Sequence, residues 1–510
     1  MTRSRAERTG LTLLLAMGAA ASQAQQATTS AGLMVTPRLS VAQTWTDNLL
    51  LDDLNKDAAL ITTVSPGISV VSNRGVLRGS LDYALNGITY LKSEQGSRVQ
   101  NSLTANGQAE LIGGVLFVDL RALIGQQNAS AFGQLTAPTL GSQSGQNNLA
   151  NVNQRETGML SVAPTLRGML GTLASYELRS ELNRTEVRDS SVGDSRGHTT
   201  SLRVNQWNAG VLSWWLQASA QRVKSVTAPS NGTRMLKVGL TYRPDVDWLF
   251  TGNVGQERND YVGATQRDGS TGGVTAQWTP TPRTRVGADW QRHGYGSSHA
   301  LTFDHRLARS VWRLSDTQTT TLGNVGLQGG LRTNYDQFFL LFASLEPDPV
   351  KRDVLVRAYL QSQGLSPDAP IGGGFLSTGP SRMRNQQLMV TMQGVRSSVS
   401  VQATRTLTRR LGDNLNQGDL ANSSRIEQRS YSLTLSHQLT PGSGLSLVAS
   451  RQESQGDLAS QAVNLDSVLG NWNIRFAGGS SLQLGARHSR SEGVVPYTEN
   501  AVYANLTQQF

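Results

Sequence analysis

The chain has no cysteine in 510 residues. That excludes a disulfide framework and thiolate metal sites, and it leaves the redox compartment open. Prolines number 15 and hydrophobic residues make up only 37 %, little apolar material for so long a polypeptide. Such a chain is either partly disordered or buries little in a conventional core. Beyond the amino terminus no apolar run approaches the roughly 18 residues that a membrane-crossing helix needs. Charge of one sign is not concentrated either. The net charge of +10 is spread along the chain, which argues against nucleic acid as a partner and leaves a mild attraction for anionic lipopolysaccharide or a merely solvated surface.

What is present begins with a leader. Arg3, Arg5 and Arg8 precede the apolar run Leu11 to Ala21, and Ser22-Gln23-Ala24 supplies small residues where a signal peptidase cuts. This pattern predicts a signal peptide over 1–24, cleaved after Ala24, in preference to a buried amphipathic helix. The mature chain, 25–510, is then exported as a single domain.

Period two dominates the rest. Leu116, Val118, Leu120, Ala122 and Ile124 alternate with Phe117, Asp119, Arg121, Leu123 and Gly125. Leu178 and Leu182 alternate with Glu177, Arg179 and Glu181; Leu236, Val238 and Leu240 with Lys237; Val286, Ala288 and Trp290 with Arg285 and Asp289; Leu484 and Ala486 with Arg487. Each run is about ten residues long, the length with which a tilted strand crosses a bilayer. Short turns such as 72–75, 112–114, 206–210, 243–247, 279–283, 441–444 and 478–481 alternate with longer polar stretches at 126–155, 184–198, 256–270 and 409–425. Together these predict an all-β fold, a transmembrane outer-membrane β-barrel of about 22 antiparallel strands.

Hydrogen bonding gives the reason. In hydrocarbon every unpaired backbone group costs several kcal/mol, so a sheet entering the membrane must close on itself. Lipid-facing residues are then apolar and lumen-facing ones polar. Asp119, Arg121, Glu177, Arg179, Lys237, Arg285, Asp289 and Arg487 are the candidate lumen charges, and their mixed signs suit a hydrated passage or a water-filled structural interior equally. At the carboxy terminus, Val502, Leu506 and the terminal Phe510 resemble the strand signal that barrel-assembly machinery recognises; Gln508 departs from it.

Three stretches carry a more specific likeness. "SVAQTWTDNLLL" (40–51), with Thr46-Asp47-Asn48, and "ITTVSPGISV" (61–70), with Ser65-Pro66-Gly67, form one. "NGQAELIGGVLFVDLRALIGQQ" (106–127) is the second, and Pro347-Asp348-Pro349 with Arg352 before a short helix is the third. In this order and spacing they resemble the outer-membrane β-barrel proteins associated with the PEP-CTERM/exosortase system. The resemblance implies a Gram-negative outer-membrane location beside exopolysaccharide synthesis and a part in exopolysaccharide export or surface assembly, as a passive conduit. A general porin for small solutes and a non-conducting, polysaccharide-anchoring barrel are the alternatives. Expected partners are outer-membrane lipid and lipopolysaccharide, the assembly machinery, polysaccharide and periplasmic export proteins. It supplies no catalytic residue, and an Asx-type turn accounts for Thr46-Asp47-Asn48 as readily as a binding role.

One segment breaks the strand pattern. Within the long gap 318–385, Asp348 suits a helix cap, Pro349 the first helical position and Gly364 the stop. Val350, Val354 and Ala358 form the expected apolar stripe, with Leu355 and Tyr359 beside it. This predicts one short helix in an extracellular insertion. Phe338, Phe339, Phe342, Val354 and Tyr359 are then candidate pore-constricting residues if the insertion folds into or over the lumen. The other reading is an ordinary ordered loop with its own small core.

Catalytic and cofactor chemistry find little footing. His293, His299 and His305 are spaced by six, but Gly294 to Ser298 reads as a loop between them and no acidic partner sits at metal-ligand spacing. No nucleophile elbow or phosphate-cradling glycine loop occurs. A non-enzymatic protein without cofactor is expected.

Overall fold

The structure, a computed structural model, describes residues 32–137, 149–208, 210–261, 267–321, 335, 338–339, 342, 348–363, 374–412 and 417–510. The leader with Ala24, Pro347 and Gly364 lie outside these residues.

Strands follow one another along almost the whole chain. They are Leu33–Thr46 (β1), Ala59–Arg74 (β2), Leu77–Leu91 (β3), Arg98–Ile112 (β4), Leu116–Asn128 (β5), Gln154–Leu170 (β6), Ala174–Val187 (β7), Ser190–Gln206 (β8), Leu212–Ser225 (β9), Asn231–Tyr242 (β10), Trp248–Asn259 (β11) and Arg267–Thr281 (β12). Thr284–His293 (β13), Gly296–Arg306 (β14), Ser310–Thr321 (β15), the short Ser377–Thr378 (β16), Ser381–Gln393 (β17), Ser397–Arg410 (β18), the short Gln417–Gly418 (β19), Arg425–Thr440 (β20), Ser443–Gln455 (β21), Ala462–Arg475 (β22), Ser480–Gly493 (β23) and Tyr497–Gln509 (β24) complete the set. Among the described residues the α-helices Pro349–Gln363 (α1) and Asp419–Asn422 (α2) interrupt them.

All strands but β16 and β19 belong to one 22-stranded antiparallel sheet, in which β1 pairs with both β2 and β24. The closing register runs from Arg38 opposite Gln509 to Thr46 opposite Ala501. The barrel therefore has no free edge, as hydrocarbon requires.

Register carries the alternation around the wall. Val238, Leu240, Val254, Val274, Leu301, Leu314, Val401, Leu433, Leu435, Leu447 and Val468 are exposed on the outer face, as are Val502 and Leu506 of the last strand. Trp278 stacks on Trp248 at 5.4 Å, and Trp248 on Phe250 at 5.2 Å, beside the 243–247 turn. Trp45 and Trp290 are exposed toward the opposite end of their strands. This is an apolar belt flanked by aromatic residues, the outer surface of an outer-membrane barrel. No helix among the described residues is long and apolar enough to cross a membrane, so the crossing is made by strands. We expect Leu435→Arg to destabilise the barrel by about 2–4 kcal/mol, while Thr434→Arg, aimed into the lumen, costs far less. Equilibrium folding into lipid vesicles checks this, and equal costs would mean that the belt does not sit in lipid.

One end of the barrel carries the tight turns, the start of β1 and the end of β24, hence the periplasmic side; the other carries the long connections, hence the exterior. The expected long loop at 184–198 is a correction. β7 and β8 extend through it and leave a tight turn at Arg188-Asp189, where Asp189 takes φ 56°. Gly294 to Ser298 is likewise not a loop, because β14 starts at Gly296. The histidines have separate partners: His293 with Glu257 at 2.7 Å, His299 with Asp316 at 3.3 Å and His305 with Thr284 at 2.9 Å. Among the described residues no group of three or more potential ligands converges on one point.

The outer connections fold inward and pack on one another. Leu49, Leu51, Leu135 and Leu149 from the first and third of them meet Ile61, Ile88, Tyr90, Val463, Leu465 and Tyr497 of the wall. Ala131, Phe375 and Leu420 meet Met383 and Ile426, and β16 pairs with β19. Asp419 accepts hydrogen bonds from Ser130 Oγ at 2.9 Å and from the Ala131 amide. Burial holds the Asp419 carboxyl above its ordinary range, against these bonds.

Candidate functional site: a helix across the lumen

Asp348 starts α1 as the sequence leads one to expect. Its carboxylate faces the Lys351 amide at 3.5 Å, its carbonyl accepts from the Arg352 amide at 2.9 Å, and Pro349 opens the helix. The buried residues among the described side chains are others than those of the expected stripe. Val356 and Leu360 are 0 % exposed and Asp353 is 6 % exposed, whereas Leu355 is exposed; the side chains of Val350, Val354 and Ala358 lie outside the described ones. The helix turns this face inward because the barrel wall, and not solvent alone, surrounds it.

Its apolar side meets one part of the wall. Val356, Leu360, Tyr335 and Phe338 pack with Met389 of β17, and Val311 of β15, Phe339, Phe342 and Tyr359 close the cluster. Phe338 lies 4.9 Å from the Tyr359 ring, Phe342 meets Tyr359 edge-on at 5.2 Å, and Tyr335 stacks on Phe339 at 5.4 Å. The Arg352 guanidinium lies over Phe339 at 4.7 Å. Burial pushes the Tyr359 hydroxyl up to about 12, with Ser398 at the start of β18 as its opposing hydrogen-bond partner.

The polar side meets another part. Arg357 holds Asp353 one turn back at 3.0 Å, reaches Ser80 Oγ of β3 at 3.2 Å and stands 3.9 Å from Asp82 of β3. Tyr335 donates to Asp353 at 2.5 Å. Asp82 is itself gripped by Arg38 of β1 through two bonds of 2.6 Å. Burial alone would lower the Arg357 pKa; the charges of Asp353 and Asp82 outweigh it and leave the pKa raised.

These contacts place the helix. Between β3 and β17 the ring runs through β2, β1, β24, β23, β22, β21, β20 and β18, almost half the circumference. One helix can touch both walls only from inside. Met389, Val311, Ser398 and Ser80 all lie toward the tight-turn ends of their strands. From the outer rim at Ser381 down to Met389 the wall descends on the order of 20 Å, at about 3.3 Å per residue and the usual tilt. α1 thus lies inside the barrel, near the periplasmic mouth.

Of the candidate constriction residues, Phe338, Phe339, Phe342 and Tyr359 pack together in the cluster that seats α1 on the wall inside the barrel; the side chain of Val354 lies outside the described ones.

Pro66 and Gly67 of the first motif lie near the same region. Gly67 lies opposite Arg38 in β2, and a Cβ there would come 2.8 Å from the Tyr83 carbonyl and 3.0 Å from Arg38 Nε. The missing side chain gives Arg38 the room to hold Asp82, and Pro66 sits where the β2–β3 ladder is interrupted, so its absent N–H costs nothing there. We expect Asp82→Asn to loosen the docking of α1 by about 1.5–3 kcal/mol, since two guanidiniums lose their shared carboxylate. Limited proteolysis of the 335–363 segment reads this, and an unchanged cleavage rate would separate the Arg38–Asp82 pair from helix docking.

Thr46-Asp47-Asn48 lies elsewhere and ties the barrel seam. Thr46 donates to Glu499 at 3.1 Å, the Asp47 carboxylate accepts from the Asn500 amide and side chain at 2.7 Å each, and Asn48 donates to the Asp52 and Thr498 carbonyls at 2.7 and 3.0 Å. It is a turn joined to the last strand. Arg487 bonds Glu499 at 2.6 and 3.0 Å in the same buried network. Phe510 donates its amide to the Pro37 carbonyl at 3.0 Å, at the other end of the seam.

The other lumen charges largely answer one another. Arg179 pairs with Asp119 and lies 3.8 Å from Glu181; Arg167 bonds Glu177 at 2.8 Å; Lys237 donates to Gln291 at 3.0 Å; Thr275 donates to Asp289 at 2.6 Å. Arg121 and Arg285 are exposed to the lumen. The wall is a mixed-sign lattice.

Sequence reasoning missed Arg38, Asp82, Asp353, Val356, Arg357, Leu360 and Met389. The Asp353–Arg357 spacing of one turn was the one local signal available. The other partners are joined only by closure of the barrel.

No family model and no curated protein matches the chain. Among solved structures it is similar to the FrpB iron transporter from Neisseria meningitidis, at 12 % identity and TM-score 0.48, covering 94 % of this chain and 82 % of that one. It is also similar to the siderophore receptor PirA from Pseudomonas aeruginosa, at 11 % and 0.43 over 93 % and 80 %. The outer membrane protein opdK of the same organism matches at 8 % and 0.34 over 93 % and 99 %.

Proposed function

We propose that this barrel is an outer-membrane passage taking part in exopolysaccharide export, a passive conduit whose lumen is closed at rest by α1. The observation that carries the reading is the helix bridged between β3 and β17 inside a 22-stranded wall. A barrel of this size leaves a lumen wide enough to need a plug. A polymer passage in particular must stay shut when no polymer is present.

The lining supports an uncharged or weakly charged polymer. Its charges pair with one another, so they offer water-bearing polar surface without a field that would select small ions of one sign. The polysaccharide itself rests on the resemblance carried by residues 40–70, 106–127 and 347–352. No bond is broken in this role; synthesis and periplasmic export partners supply the drive.

Deletion of the gene in its native host tests the proposal. Loss of secreted polymer with accumulation in the periplasm is the expected result. Normal polymer with altered small-solute uptake would instead mark a general porin. Polymer released but not retained at the cell surface would mark an anchor.

A further inference from the structure

We infer that the outer face of β17, β18, β20 and β21, just above the apolar belt, is a binding site for the phosphate groups of an outer-leaflet glycolipid. The inference is independent of what passes through the lumen.

Parity places these side chains. Tyr431, Leu433 and Leu435 of β20 and Val399 and Val401 of β18 are exposed on the outer face. Arg425, Glu427 and Arg429 continue the same face of β20 toward the exterior, and Arg405 and Arg409 continue that of β18. Arg405 is directly opposite Arg429, and Arg409 directly opposite Arg425. Like charges in such pairs repel and destabilise a sheet unless an anion stands between them.

The protein supplies only part of that anion. Glu427, with 9 % of its side chain exposed, is bonded by Arg405 at 2.8 Å, by Arg429 at 2.7 Å and by Arg425. Glu453 of β21 lies 3.9 Å from Arg429 and 2.8 Å from Arg451, which also reaches Asp466 at 3.5 Å. Arg384 of β17 is matched by Asp316. Six arginines therefore share four carboxylates. Glu427, Asp316 and Glu453 sit against the wall and orient the guanidiniums, whose side chains remain 40–51 % exposed in these ion pairs.

The position selects the ligand. These arginines cannot face hydrocarbon, where each would cost about 2–4 kcal/mol. Immediately above the belt their neighbours are lipid head groups. A guanidinium presents a planar fork that matches two phosphate oxygens, and two such forks on adjacent strands about 4.8 Å apart can share one phosphate. Elsewhere on the same face Arg258 pairs with Asp268 and stands directly opposite Arg234, but no carboxylate there is gripped by three guanidiniums as Glu427 is.

The test is a binding titration of the detergent-purified barrel with bisphosphorylated lipid A, dephosphorylated lipid A and inorganic phosphate, read by native mass spectrometry. We expect tight binding of the first alone. The quadruple variant R405Q/R409Q/R425Q/R429Q should lose at least tenfold in affinity, while R167Q, on the lumen face, should be unchanged. Equal binding of the two lipids, or an unaffected quadruple variant, would overturn the site. Comparable binding of inorganic phosphate would overturn its assignment to lipid. Heat-modifiability on detergent gels confirms that each variant is folded. If the quadruple variant is not, R409Q alone must lower affinity severalfold.

Discussion

Replacing residues 335–373 by a short Gly/Ser linker will turn a barrel of low conductance into an open channel, with discrete steps in planar bilayers several times larger than those of the intact protein. The deletion removes α1 and the aromatic cluster around Tyr359, but it keeps Phe375, Leu376 and β16, which dock the neighbouring loops. The wall closes through backbone pairing in which the insertion has no part, so the variant should remain a heat-modifiable barrel. Unchanged conductance in such folded barrels would show that the helix does not obstruct the lumen. The proposed conduit would then need another closing element.

Val356→Asp should release the plug without deleting it. Val356 is 0 % exposed and packed against Met389 and Leu360. A carboxylate there enters an apolar cluster whose nearest guanidiniums, Arg352 and Arg357, are already engaged over Phe339 and Tyr335, and burying it unpaired costs more than about 3 kcal/mol. That exceeds the worth of the Arg357 contacts on the opposite side, so the helix should leave the β17 wall. Leu355→Asp, one residue away on the exposed side, should change little. The contrast is read by flickering conductance and by protease cleavage of the 335–363 segment in assembled barrels. Similar behaviour of the two variants would mean that the buried face does not hold the helix.

The strand alternation was legible because a membrane wall imposes it residue by residue. Leu178, Leu182, Val238 and Val502 are on the outer face; Asp119, Arg179, Lys237 and Arg487 are on the inner one. Each follows from period two and the cost of an unpaired polar group in hydrocarbon. The helix start at Asp348-Pro349 was legible for a similar reason, since capping chemistry lies within one turn. The partners of the helix were not, because α1 meets wall on two sides. Its buried face mixes Val356 and Leu360 with Asp353, whose charge Arg357 answers.

The long loop expected at 184–198 failed on the same ground. Polar residues there read as loop, but above the apolar belt the outer face of a strand is polar too, and β7 and β8 continue through it. The arginines of β18 and β20 were passed over for the same reason.

The chain by itself determines that it forms strands of membrane-crossing length, which residues face out, roughly how many strands there are and where a helix interrupts them. These are consequences of local hydrogen bonding and of solvent on each side. Only the closed tertiary structure brings Arg38, Asp82 and Arg357 together from three distant segments and sets Met389 opposite them. The position of a plug depends on the shape of the space it enters, and that space exists only once β24 has met β1.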